Sequence, residues 1–580
     1  MRRKFGALPV GVLAVALVAS GCSETTNETP GGGNTQNVVQ TGTIATDPAE
    51  SQGPAKAVEG ATKGGVVKLL HAAEFEHLDP QKIYVSDSLS MATQFARTLT
   101  GYKEDGKGNL KLVGDLATTA GEDVNGDCKV WKYTLKDGLK FEDGTPITGA
   151  DVVYGISRSF DPDWGMGPLY IQQWLTDAVE YNTTYKGPFK SPGAEVPGLK
   201  ADGNVITFTF PKPQCETPFA VAMPTTAPVP KAKDTKGDYD RKPVSSGPYM
   251  IKEHAYDQYI DFVRNPNWDP ATDPIRNAYM DGIRVEFGID AETGANRVVA
   301  DAAEDQTAFI WANVPAAVLS KTTSDPKVKE RVKSGPSQYV EYMWINTDRV
   351  KDLKVRQALN YAVDRDAIIK VRGGIDQFGS TITSPTIGGY QNYNAYDGGQ
   401  SGNPEKAKEL LGGKPIKLTY AFPNIPVRQQ MAAKSKEVYA KAGIELVLTP
   451  LDPATYYDSV GTKGNQYDLI RGGWGADWPS SSTVIPALLD GRTIRDKGNQ
   501  NLAYFNEDEV NKEIDRIKGL KVAEAAPAWA ALDKLIMEKY APLVPQYYIG
   551  TYEITGSKIG GTFLSDSFSH LTLNTMFVKP

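Results

Sequence analysis

The chain has 580 residues, with 63 Lys+Arg, 70 Asp+Glu and 4 His. That length exceeds a single hydrophobic core, so about three or four domains are expected. A formal net charge of −7, with no basic block after Lys4, sets nucleic acid aside as a partner, because such a partner needs a basic face.

Arg2, Arg3 and Lys4 precede an apolar stretch at 6–20, which suits the core of a secretory signal and is short for a spanning helix. Val18-Ala19-Ser20-Gly21-Cys22 resembles a bacterial lipobox, although Ala19 stands where Leu is commoner. Residues 1–21 then read as a lipoprotein signal peptide, with Cys22 lipidated as the first residue of the mature chain. Residues 22–60 are poor in aromatics and rich in Thr, Gly, Pro and Asn, a composition that cannot bury enough surface to fold. They read as a flexible tether, and a coil of about forty residues spans roughly 35 Å. No other apolar run is long enough to span a membrane.

Beyond the tether, "KGGVVKLL" reads as a strand. Leu89, Ala92, Phe95, Ala96 and Leu99 have helical spacing and predict a helix over 88–102. "KVWKYTLKDGLKFEDG" alternates on both sides of Asp137-Gly138 and predicts a hairpin. Thr148 is placed to cap a helix through "GADVVYGISRSF", and "NVITFTFPKP" reads as a further strand pair. "SSGPYMIKEHAYDQYIDFVRNPNW" predicts two hairpin strands. One long helix is expected over "VRQALNYAVDRDAIIKV", with Val355, Ala358, Leu359, Ala362 and Ile369 inward. Asn403, Pro404 and Gly412 punctuate a complete helix. Strands and helices then alternate to "YDLIRGGW", an α/β pattern with mixed sheets.

Cys128 and Cys215 remain once Cys22 is lipidated, and outside the cytosol they are expected to form a disulfide. A metal site lacks ligands: His71, His77, His254 and His570 are scattered, and no C-x-x-C or H-E-x-x-H occurs. "GYKEDGKG" has phosphate-loop spacing, but Gly108 replaces the hydroxyl residue and a helix pattern precedes it. "DVNGDC" opens like a calcium loop, yet Cys128 takes the place of the bend glycine, so it reads as a hairpin tip. No G-x-S-x-G elbow is present, and no carboxylate pair stands out for glycoside hydrolysis.

"RGGWGADWP" places Arg471 six residues before Asp477, with Trp474, Gly475, Ala476 and Trp478 around them. The two charges could form an ion pair in a turn, or clamp a ligand that carries both signs. Six residues of extended chain reach at most about 20 Å, enough for the two ends of a short peptide. Gly472, Gly473 and Gly475 let backbone approach a ligand, and either indole could wall the site or fill a core.

"GGVVKLLHAAEFEHLDPQKI", "WKYTLKDGLKFEDGTPITGADVVYGISRSF", "VRQALNYAVDRDAIIKV", "NPEKAKELL", "YDLIRGGWGADWP" and "APLVPQYY" follow one another in an order that resembles a known family. It is the oligopeptide- and dipeptide-binding branch of the extracytoplasmic solute-binding proteins of ABC transporters, matched from about Lys63 to the C-terminus. The most specific stretch is "LKDGLKFEDGTPITGADVVY". The resemblance implies a two-lobed periplasmic-binding-protein-like α/β fold with a hinge and an extra third domain. Carried onto this chain, lobe I is 61–100, 226–340 and 546–580, the extra domain is 101–225, and lobe II is 341–545. It also implies that Asp477, in the W-x-A-D motif, grips a peptide α-ammonium, and that Arg471 reaches the carboxylate end. The family often continues Asp-Tyr-x-Asp/Glu-Pro, whereas here Trp478-Pro479-Ser480 follows, so the pocket beside the ammonium differs.

The implied function is a lipid-anchored receptor on the outer face of the bacterial cytoplasmic membrane. It captures short peptides and delivers them to an ABC permease, as a monomer, without cofactor, metal or catalysis. Two alternatives are the same fold holding an oligosaccharide or other small solute, and a surface hydrolase.

Overall fold

A computed structural model describes residues 38–39, 42–107, 110–163 and 167–580. The signal sequence and Cys22 lie outside the described residues. Three sheets carry most of the chain. A five-stranded mixed sheet orders Ala308–Ile310, Val66–Leu70, Gly282–Glu286, Tyr259–Arg264 and Tyr249–Ala255. Its first three strands are parallel, and the expected hairpin 249–264 supplies the antiparallel edge. A four-stranded antiparallel sheet orders Glu122–Asp123, Val130–Thr134, Val205–Thr209 and Leu199–Asp202. A six-stranded mixed sheet orders Gln377–Phe378, Leu543–Ile554, Val332–Ile345, Leu469–Gly475, Ile416–Pro423 and Ile444–Leu451.

The long strands Val332–Ile345 and Leu543–Ile554 pair along their length, with register shifts between Pro336 and Val340 and between Glu341 and Tyr342. At one end Ile554 packs with Leu70, Ala308 and Ile310 of the five-stranded sheet. At the other, Trp344 and Leu543 join a core with Leu488, Ile514 and Trp529, while Met343 and Val544 face a second core with Leu359 and Tyr439. One strand pair therefore links the core beside the five-stranded sheet to the two cores around the six-stranded sheet.

Local signals explain several elements. Thr148 and Asp151 form a capping box on Gly149–Arg158, and Asn403 caps Pro404–Leu410. Three expectations need correction. The helix expected over 88–102 is confined to Ser86–Ala92, because Thr100–Glu104 turns into a strand paired with Leu110–Gly114. The hairpin at Asp137-Gly138 does not form, since Val130–Thr134 pairs with Val205–Thr209. The long helix is two, Leu353–Ala362 and Arg365–Val371, because the Asp364 side chain accepts from Ala367 N–H and starts a new helix.

The tether reading also fails beyond residue 41. Thr43–Ile44 adds a parallel strand to Lys111 and Leu112, and Asp47 caps the 3₁₀ turn Pro48–Ser51. Ser51 Oγ takes the Gly114 N–H at 2.8 Å, and Val58 N–H donates to the Tyr279 hydroxyl at 2.9 Å. Composition misled here because this segment docks through backbone hydrogen bonds rather than an apolar face.

Candidate functional site

Strand Leu469–Gly475 runs antiparallel to Val332–Ile345, and the register sets what surrounds each motif residue. Arg471 lies opposite Met343 and Gly473 opposite Glu341, so Arg471 and Glu341 are diagonal neighbours on one face. Arg471 donates from Nε and Nη2 to the Glu341 carboxylate, and Arg428 Nη1 approaches the same group at 3.3 Å. Burial pushes the Glu341 carboxyl up, but the Arg471 and Arg428 charges overcome it and hold the acid below its ordinary range. Arg471 thus has a counter-charge inside the protein.

The glycines serve side chains of the partner strand. A Cβ on Gly475 would lie 2.3 Å from the Tyr339 ring, and one on Gly472 would lie 2.8 Å from Trp344 Nε1. Trp474 donates from Nε1 to Thr483 O at 2.9 Å, and Ala476 is buried in the core that holds Trp529. Trp478 is 2% exposed, edge-on to Tyr170 with ring centroids 4.5 Å apart. Its Nε1 donates to Glu216 at 2.5 Å, and Glu216 also accepts from the Ser480 and Ser482 hydroxyls. Next to Glu216, Cys215 is joined to Cys128 by a disulfide. Glu216 therefore fastens the 478–482 turn to a cross-linked segment. Nothing in the sequence pattern pointed to it.

Asp477 follows the strand end. Its backbone N–H donates to Thr483 Oγ1 at 3.1 Å, which fixes the turn. Its carboxylate accepts from the hydroxyls of Tyr170, on helix Tyr170–Thr176, and Tyr84. Among the described residues no cation pairs with it. Burial pushes the acid up to about 6, against the pull of the two phenol hydrogen bonds. Tyr339 and Tyr102 also sense its charge. A half-buried carboxylate ringed by phenols and without a counter-charge suits a cationic ligand group.

Two cavities lie beside these tyrosines. One is lined by Tyr102, Glu104, Thr98, Met223 and Phe568 among others. The second is lined by Ser86, Tyr339, Ser569 and His570 among others. Phe568 and His570 border both. Asp477 lines neither, but Tyr102 of the first and Tyr339 of the second both sense its charge. Among the described residues, no group of three or more His, Cys, Asp or Glu is placed to hold a metal.

Mixed α/β sheets joined by a long strand pair, and a carboxylate that no cation pairs among the described residues, are compatible with a solute-binding protein. The match to bacterial extracellular solute-binding proteins, family 5, covers residues 111–496, and the chain belongs to that family. It is 24% identical over 473 residues to the periplasmic oligopeptide-binding protein of Salmonella typhimurium, covering 78% of this chain and 83% of that one. It is 26% identical over 448 residues to a probable D,D-dipeptide-binding periplasmic protein of Escherichia coli, covering 76% and 80%. The solved structure of clavulanic acid biosynthesis oligopeptide binding protein 2 superposes with a TM-score of 0.83 at 26% identity, covering 93% of this chain and 99% of that one.

Proposed function

We propose that this protein captures short peptides and presents them to an ABC permease, with Asp477 as the partner of the peptide α-ammonium. One observation carries the reading: a half-buried carboxylate held by two tyrosine hydroxyls and by no cation among the described residues. Desolvation disfavours that charge, and an arriving ammonium restores it. Relatives named for oligopeptides and D,D-dipeptides support the cargo class. Trp478 braces Tyr170 from behind, and Glu216 holds Trp478, so the motif's second indole acts through the tyrosine. Arg471 positions strand Leu469–Gly475 through Glu341.

The domain layout proposed is lobe I at 61–100, 226–340 and 546–580, an extra domain at 101–225, and lobe II at 341–545. The five-stranded, four-stranded and six-stranded sheets support it, and the paired strands Val332–Ile345 and Leu543–Ile554 form the hinge. Lipidation of Cys22 would hold the receptor at the outer face of the cytoplasmic membrane. Calorimetry with trialanine and its N-acetyl form tests the reading, alongside small-angle scattering. Tight binding of the free peptide, a large acetylation penalty and a more compact particle are expected. Equal affinities for the two peptides would sink the assignment of Asp477.

A further inference from the structure

The cavity lined by Tyr102 and Glu104 has a polar wall that the ammonium site does not use. Thr100–Glu104 is a strand, so Tyr102 and Glu104, two residues apart, share a face, and both line the cavity. Tyr102 is 8% exposed, its ring sits edge-on to Phe568 at 6.1 Å, and its hydroxyl finds no hydrogen-bond partner among the described residues. Leaving a buried hydroxyl unpaired is costly unless a ligand meets it. Among the described residues Glu104 is gripped on one oxygen: Oε1 takes Ser565 Oγ at 3.0 Å, Ser567 N–H at 3.1 Å and Ser567 Oγ at 2.6 Å. Burial raises this acid to about 7, against the Ser567 hydrogen bond and with the Asp566 charge adding to the rise. Arg276 also lines the cavity, but its guanidinium is committed to Asp115, Asp273 and Thr93 O. The wall is therefore acidic and without a free cation among the described residues.

We propose that Glu104 and the Tyr102 hydroxyl form a subsite for a basic side chain, guanidinium or ammonium, of the bound peptide. The inference rests on the peptide reading, and it narrows the cargo to peptides carrying Arg or Lys beside the N-terminal ammonium. Tyr102 links the two sites, since the charges of Glu104 and Asp477 both bear on its phenol. A neutral side chain leaves Glu104 desolvated, whereas a cation pairs with it and takes the hydroxyl as a hydrogen-bond acceptor.

The test compares tripeptides of alanine carrying one arginine at position one, two or three with their citrulline counterparts, which keep the shape and lose the charge. At the best position wild type should prefer arginine by at least about tenfold, as expected for a desolvated charge pair. Glu104→Gln should bring that ratio to about twofold or less while leaving trialanine affinity and its N-acetyl penalty unchanged. Ratios near one at all three positions in wild type overturn the subsite, as does a preference that survives in E104Q. Should E104Q fail to bind trialanine, Tyr102→Phe decides, because it keeps the ring against Phe568. It should cut the preference at least about threefold, and an unchanged preference overturns the proposal. The arms separate the two readings. A missing acetyl penalty with an arginine preference lost in E104Q removes the ammonium site alone, and the converse removes the subsite alone.

Discussion

Replacing Asp477 with Asn separates a ligand anchor from a structural brace, because the two roles predict opposite changes in stability. The acid sits at about 6 against an ordinary 3.8, so near pH 7 it is ionised at a cost of about 3 kcal/mol relative to water. Asn removes that cost and keeps an acceptor for one of the two phenols. The unliganded variant should therefore be as stable as wild type or more so, by up to about 2 kcal/mol after loss of one hydrogen bond. Binding moves the other way. Losing one partner of a desolvated charge pair costs about 2–5 kcal/mol, which lowers affinity between about thirty-fold and a few thousand-fold. N-acetylation breaks the same pair from the ligand side, so its penalty should be large in wild type and small in D477N. Calorimetry on two proteins with two peptides closes the cycle, and urea unfolding supplies the stability. A destabilised variant that keeps the full acetylation penalty refutes the anchor and returns Asp477 to bracing its turn.

Three further outcomes are expected. Because the ammonium needs an ionised partner, peptide affinity should decline as pH falls through about 6, and D477N should lack this decline. The unliganded protein moves oppositely: the folded acid holds its proton more tightly than the unfolded one, so this group's contribution to stability improves as pH falls from about 6 towards 3.8. Cys128 and Cys215 should both resist alkylation in denaturant without reductant, and C128S should lower stability by up to about 4–5 kcal/mol for a loop of 87 residues. Arg471→Met should destabilise in urea unfolding by up to about 3–5 kcal/mol, because Arg428 alone is then left in contact with the buried Glu341 charge, with C-terminal amidation of the peptide affecting both proteins alike. An amidation penalty confined to wild type would restore the clamp.

The readable parts of this sequence are those whose partners lie close along the chain. Thr148 and Asp151 cap one helix across three residues, Asn403 caps another, and the hairpin 249–264 closes on itself. Asp137-Gly138 misled because Val130–Thr134 found a better partner some seventy residues on, where side-chain packing outweighs turn chemistry. Asp364 carried its own signal, an acid able to start a second helix, inside a pattern that periodicity alone reads as continuous.

The site divides along the same line. Asp477 was legible because a short motif marks it, and Arg471 was legible for the same reason. Their surroundings differ because Glu341, 130 residues before Arg471, sits on its strand's neighbour with matching face. Tyr170 reaches Asp477 across 307 residues and Glu216 reaches Trp478 across 262. No local pattern announces a phenol or a carboxylate that acts only when two bodies of structure meet. What the motif lacks is itself informative: the position after Asp477 holds Trp478, whose indole leans on Tyr170 and ties to Glu216. An indole there packs against a tyrosine that donates to the acid, and under the proposed function the acid's charge is left for the ligand's ammonium to answer. If ammonium capture is what this chain shares with its relatives, the residues after Asp477 alter the surroundings of the carboxylate and keep the carboxylate itself, so side-chain preference is where this chain is expected to differ.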